Sequence, residues 1–209
     1  MRRLVVLTLV FLVLTSCTRV ETTQYPDGTI SSSLSYRGKA LHGRAVWYYP
    51  NGQEREEFFY NDGLLEGLGR KWQVNGRLES EYTYVKGKKE GLARMWDSEG
   101  RLAIEEHYQD DTLHGPFREY HPNGAIKVEG AFARGAYDGK WTYRGFTGLV
   151  VGEATYQRGD GRMQSYYPGG MLERVIHYVN NMKHGEEVWF SETGDTLRVL
   201  RYHEGRLQP

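Results

Sequence analysis

The chain has 209 residues with 27 basic and 27 acidic side chains, so there is no basic excess to neutralise a phosphate backbone, which argues against nucleic acid as a partner. A single cysteine excludes any disulfide within the chain. Aromatic residues make up 13%, with 26 glycines and 16 tyrosines, a composition that suits short twisted strands and tight turns better than helices.

At the N-terminus, Arg2 and Arg3 precede an apolar run, Leu4 to Leu14, interrupted only by Thr8. A run this short cannot cross a bilayer as a helix, which needs about 20 apolar residues, but it has the anatomy of a secretory signal. It ends in Leu14-Thr15-Ser16-Cys17, which resembles the bacterial lipobox. That resemblance implies a cleaved signal over residues 1–16 and a diacylglycerol, usually joined by an N-acyl chain such as palmitate, on Cys17. Several acyl chains anchor firmly, since each buried CH₂ contributes roughly 0.8 kcal/mol. The expected partner of Cys17 is therefore the membrane, with residues 17–24 as a lipidated tether. Thr18 in place of Asp favours the outer membrane by the enteric sorting pattern. Cleavage would remove Arg2 and Arg3 and no acid, leaving 25 basic against 27 acidic residues, a net charge of −2.

The rest of the chain is periodic. Gly52, Gly76, Gly100, Gly124, Gly148, Gly170 and Gly194 recur at 24 residues, apart from one step of 22. Nine residues before each lies a strand-opening glycine, Gly43, Gly67, Gly91, Gly115, Gly139, Gly161 and Gly185. Eight residues after each lies a ring, Tyr60, Tyr84, Tyr108, Phe132, Tyr156, Tyr178 and Tyr202. Asp27-Gly28 and Tyr36 continue the series backwards. Asn51-Gly52, Asn75-Gly76 and Asn123-Gly124 have the chemistry of two-residue hairpin turns with positive φ. The segment from Tyr84 to Gly91, rich in Gly and Lys, reads as a second turn. Each unit is then strand, turn, strand, turn, and residues 25–209 form an all-β, elongated, single-layer antiparallel meander of about seven full units. A step of two strands is about 10 Å.

The pattern Tyr-x-x-Gly-x-x-x-Gly-x-x-x-x-Tyr-x-x-Asn-Gly, kept from about Tyr25 to Leu207, resembles the MORN-variant repeats of bacterial proteins. The resemblance implies this architecture. Many such proteins are labelled antitoxin components, which raises the alternative of an antitoxin or immunity-like protein acting on a toxin in the envelope.

Four features are candidates for chemistry. Glu57, Glu81, Glu105, Glu129 and Glu153 form one column, and Arg70, Arg94 and Arg118 another. Two-residue loops would pair 74 with 77, and hence Arg70 with Glu81, Arg94 with Glu105 and Arg118 with Glu129; a longer, bulged turn would shift that register. Such pairs are structural, or they form a charged stripe that receives a partner. An aromatic column, Tyr48, Trp72, Trp96, Tyr120, Tyr166 and Phe190, reads as packing between hairpins or as a stacking surface for sugar rings or an apolar segment. Before the strand-opening glycines stand His42, Glu66, Glu90, His114, Asp138, Asp160 and His184, but equivalent positions about 10 Å apart cannot share a zinc, so no metal site is expected and these read as solvated turn residues.

The pattern breaks once. Trp141, Tyr143 and Arg144 to Gly148, with Phe146, stand where an Asn-Gly turn belongs, and the next unit is two residues short near Gly161. Residues 140–162 are thus an irregular unit, either a bend or a special-purpose site. No nucleophile elbow, P-loop or zinc-protease motif is present, and no cofactor is implied. The expected function is a non-catalytic, membrane-tethered scaffold binding a protein partner or an envelope polymer through Trp72, Trp96, Tyr120, Trp141, Tyr143, Phe146, Arg70, Arg94 and Arg118.

Overall fold

The computed structural model describes residues 18–209, so the signal segment, the lipobox residues Leu14, Thr15 and Ser16, and Cys17 lie outside the described residues. Within them the chain is all-β. Nineteen antiparallel strands form one open sheet in chain order, the two-residue strands Leu64–Leu65 and Lys88–Lys89 sharing a partner with the strands that follow them. The first strand, β1 (Thr18–Gln24), pairs with β2 (Ile30–Arg37), beginning at Thr18 opposite Arg37. Residues 18–24, expected as a tether, are therefore a strand. Their Thr and Val content favours one, and with a single neighbour every residue of it is exposed.

The two edges of the ribbon carry different turns. On one edge Asn61 pairs with Leu64 across Asp62 and Gly63, both at positive φ, and the same two-residue loop recurs at 86–87, 110–111, 134–135 and 180–181. On the other edge the Asn-Gly pairs sit in a longer loop. The Gly76 N–H donates to the Gln73 carbonyl and the Gln73 N–H to the Arg77 carbonyl, and of the loop residues only Gly76 has positive φ. The Asn75 side chain accepts from the Arg77 N–H at 3.0 Å, as Asn51 and Asn123 do for Gln53 and Ala125 at 3.1 Å each. Asn-Gly thus serves a three-residue loop closed by a left-handed glycine, and the two-residue turns lie on the opposite edge.

Each longer loop is followed by a bulge. Trp72 pairs with Leu78, but Lys71 pairs with Ser80, leaving Glu79 extra. The same one-residue slip occurs between Trp47 and Tyr48, between Glu119 and Tyr120, and between Ser165 and Tyr166. The bulge undoes the offset of the loop, so Arg70 pairs with Glu81, Arg94 with Glu105 and Arg118 with Glu129, the pairing expected from the shorter loop.

The short unit has an equally local cause. Next to the two-residue turns the ladder ordinarily skips two residues, as between Tyr108–Leu113 and Glu106–Phe117, around a strand-opening glycine at positive φ. Between Val150–Gln157 and Asp160–Tyr166 the ladder runs unbroken from Gln157–Asp160 to Gly152–Ser165. The 22-residue step is the loss of that bulge. Asn181 spans the shortened unit: its amide oxygen accepts from the Tyr137 N–H at 3.0 Å and its amide nitrogen donates to the Gly135 carbonyl at 3.1 Å.

One face of the sheet carries the core. Strand alternation puts Ala45 opposite Phe58, Gly69 opposite Tyr82, Phe117 opposite Gly130 and Trp141 opposite Ala154, so that large and small residues meet across strands. Val128, Trp141, Ala154 and Tyr156 are buried, with Phe117, Phe132, Tyr137, Tyr143, Met163 and Tyr178 packed against them. Gly130 has no room for a side chain, since a Cβ there would lie 2.1 Å from the Trp141 ring. Gly130→Ala should destabilise by about 1–3 kcal/mol, whereas Gly169→Ala, with open space around it and no positive φ, should be near neutral. Urea denaturation of the two variants checks this.

Candidate binding surface

The opposite face is charged. Cross-strand pairing places Glu57, Arg70, Glu81, Arg94, Glu105, Arg118 and Glu129 in one unbroken row across consecutive strands. Two of the three guanidiniums bridge two carboxylates each. Arg70 lies 3.0 Å from Glu81 and 3.7 Å from Glu57, and Arg94 lies 3.0 Å from Glu105 and 3.9 Å from Glu81. Arg118 reaches Glu105 at 4.0 Å. The carboxylates sit below the cations, Glu105 being 18% exposed against 40% for Arg94 and 50% for Arg118. Arg70, Arg94 and Arg118 therefore present guanidinium edges to solvent over carboxylates already neutralised.

Next to this row, on the same face, lie Tyr48, Trp72, Trp96 and Tyr120, paired with Glu54, Leu78, Leu102 and Ile126. All four rings are half-buried. The Tyr120 hydroxyl donates to Glu105 at 2.7 Å and joins the two rows. That bond, with the Arg94 guanidinium, holds the Glu105 carboxyl below its ordinary value. The structure thus brings Trp72, Trp96 and Tyr120 together with Arg70, Arg94 and Arg118.

It does not bring the rest of the expected surface there. Trp141 is 2% exposed on the aromatic face, with its indole N–H donating to the Ala131 and Asp138 carbonyls at 3.2 Å each. Tyr143 lies on that same face, where burial pushes its phenol up to about 12. Both belong to the core because they stand two and four residues after Gly139 in one strand, and alternation puts both on the packed face. Phe146 is 59% exposed at the turn, its ring 5.5 Å from that of His121. The irregular unit thus contributes Trp141, Ala154 and Tyr156 to the buried cluster of the sheet, and its ladder lacks one bulge.

The acid and histidine column has a role that sequence reading missed. Glu66 accepts from the Lys86 N–H at 2.9 Å, Glu90 from Asp110 at 3.0 Å, Asp138 from Arg158 at 3.0 Å and Asp160 from Asn180 at 2.8 Å. Each caps the first residue of the next unit's two-residue turn, 20 residues on. Nδ1 of His42 and His114 faces the Asp62 and Arg134 N–H groups at a longer 3.4 Å. The signal was the confinement of the column to hydrogen-bond acceptors. On the other edge the Tyr49 hydroxyl donates to the Trp72 carbonyl at 2.8 Å and the Tyr167 hydroxyl to Phe190 at 2.8 Å.

Because the folded-state value of Glu105 is depressed, its contribution to stability is present above the unfolded-state value and is lost as pH falls through the folded one. Wild type should therefore lose more stability than Glu105→Gln between about pH 5 and pH 3, read from urea midpoints. A double-mutant cycle of Arg94→Ala and Glu105→Ala should give a coupling of about 0.2–1 kcal/mol, as for a half-exposed pair.

Comparison with known proteins agrees with the periodicity. The family model described as "MORN repeat variant" matches residues 41–63, 113–133 and 159–180, the last falling on the shortened unit. No curated protein matches the chain. A solved structure described as "Crystal structure of GtfA/B complex bound to UDP and GlcNAc" is similar at 12% identity over 53% of this chain, with a TM-score of 0.24, too low to bear on fold or ligand. This chain spans 22% of that one's length. The chain is a repeat protein, three stretches of which match the MORN repeat variant model.

Proposed function

We propose that the chain is a non-catalytic scaffold, tethered by lipid on Cys17 to the cell envelope, most naturally at the outer membrane, and that its charged face receives a protein or polymer of the envelope. What supports this reading is the sameness of that face from unit to unit. Arg70, Arg94 and Arg118 occupy equivalent sites beside equivalent rings. Their spacing of about 10 Å distributes groups along a line instead of converging them on one reacting atom. An extended partner can use such a line; a single bond-breaking event cannot. The lipobox residues support the location, and among the described residues pairing begins at Thr18, the residue that follows Cys17 in sequence.

Cys17→Ala should move the protein from the membrane fraction to the soluble envelope fraction and abolish incorporation of labelled acyl chains. Unchanged partitioning into detergent would defeat the lipid anchor. Crosslinking in cells followed by capture should recover one envelope component from wild type and lose it from Arg70→Ala/Arg94→Ala; recovery of a secreted toxin would turn the reading toward an immunity protein.

A further inference from the structure

We propose that the row Tyr48, Trp72, Trp96 and Tyr120 is a binding platform for an extended, uncharged, β-1,4-linked glycan. The inference rests on the scaffold reading above and names the chemistry of its partner.

Three observations carry it. The first is the step. Equivalent rings are two strands apart, about 10 Å, close to one disaccharide of a β-1,4-linked chain. Successive sugars in such a chain turn over, so the same sugar face recurs only at every second ring. A platform with a ring every two strands meets the same face each time. The second is the isolation of the rings. The cross-strand partners of Trp72, Trp96 and Tyr120 are Leu78, Leu102 and Ile126. None of the ring–ring contacts among the described residues involves Tyr48, Trp72, Trp96 or Tyr120. The rings of the opposite face, by contrast, pack on one another, as Phe132 does on Trp141 at 5.1 Å. Half-buried rings with no aromatic neighbour leave π surface for the C–H face of a sugar.

The third is the adjoining charge row. Its guanidiniums are half-exposed and its carboxylates already paired, so it offers hydrogen-bond donors and acceptors at every strand with little net field. A polyphosphate or a polyamine would find each charge compensated; a neutral chain of hydroxyls finds partners of both kinds. The row also ends. In the next unit the equivalent residue is Arg144, bonded to Glu129 at 2.7 Å, so the platform has four rings and suits about six to eight sugars.

The test uses the full chain in a detergent without a sugar headgroup, titrated calorimetrically with cellohexaose and with chitohexaose. Binding to at least one hexasaccharide is expected, at least tenfold tighter than to its disaccharide. Trp72→Leu and Trp96→Leu, which keep apolar volume, should each weaken it about tenfold. Trp189→Leu on the opposite face should bind as wild type, and thermal melting confirms that all three variants fold. No binding of either hexasaccharide at millimolar concentration would overturn the proposal. So would affinity that ignores Trp72→Leu and Trp96→Leu, or falls equally in Trp189→Leu. If no glycan binds but the ring variants lose a crosslinked protein partner, the glycan is wrong and the scaffold stands. If glycan binds as proposed to a chain that Cys17→Ala leaves in the membrane, the platform stands and the tether fails.

Discussion

A sheet with no second layer over it can bury side chains only against one another along its own face. Everything else in this protein follows from how that is arranged. At several strand pairs large residues meet small ones, Phe58 against Ala45 and Gly69, Trp141 against Gly130 and Ala154, so rings lie down over the backbone of the neighbouring strand. Where that interlock is densest, around Trp141, the sheet has its best-buried cluster. The glycines of this face are as much a part of the core as the rings, because a single methyl at Gly69 would lie 2.6 Å from Phe58.

The opposite face could then be left to polar and half-buried groups, provided the register never drifts. A drift of one residue would turn every ring outward. The longer loops introduce such an offset at each unit and a bulge removes it, so the row from Glu57 to Glu129 stays aligned across its strands. On the far edge the caps from Glu66, Glu90, Asp138 and Asp160 tie each turn to the unit before it. Charge row, caps and core are thus three outcomes of one register.

The periodic glycines and rings made the all-β meander legible from the sequence, as did the pairing of Arg70 with Glu81. The turn type at Asn75-Gly76 was not, because Asn-Gly fits both a two-residue turn and a three-residue loop closed by glycine, and the loop–bulge pair that decides between them leaves the distant register unchanged. Trp141 was misplaced for a similar reason. It stands two residues after Gly139 and Trp96 five after Gly91, an odd difference that puts them on opposite faces, but the sequence does not say which face is the packed one. The strand at residues 18–24 escaped notice because, with one neighbour, it needs no apolar alternation.

The direction of the strands has a mechanical consequence. They lie across the long axis of the ribbon, so tension applied between its ends loads the backbone hydrogen bonds along their own direction, one strand pair at a time. Such a geometry unzips in sequence instead of shearing at once. Each 24-residue unit that lets go would release up to roughly 80 Å of chain at low force and could re-form on the unit before it, whose turn carbonyls and caps remain in place. A ribbon fixed at one end would then act as a stepwise extensible element, giving length under load while the remaining units keep their binding face intact.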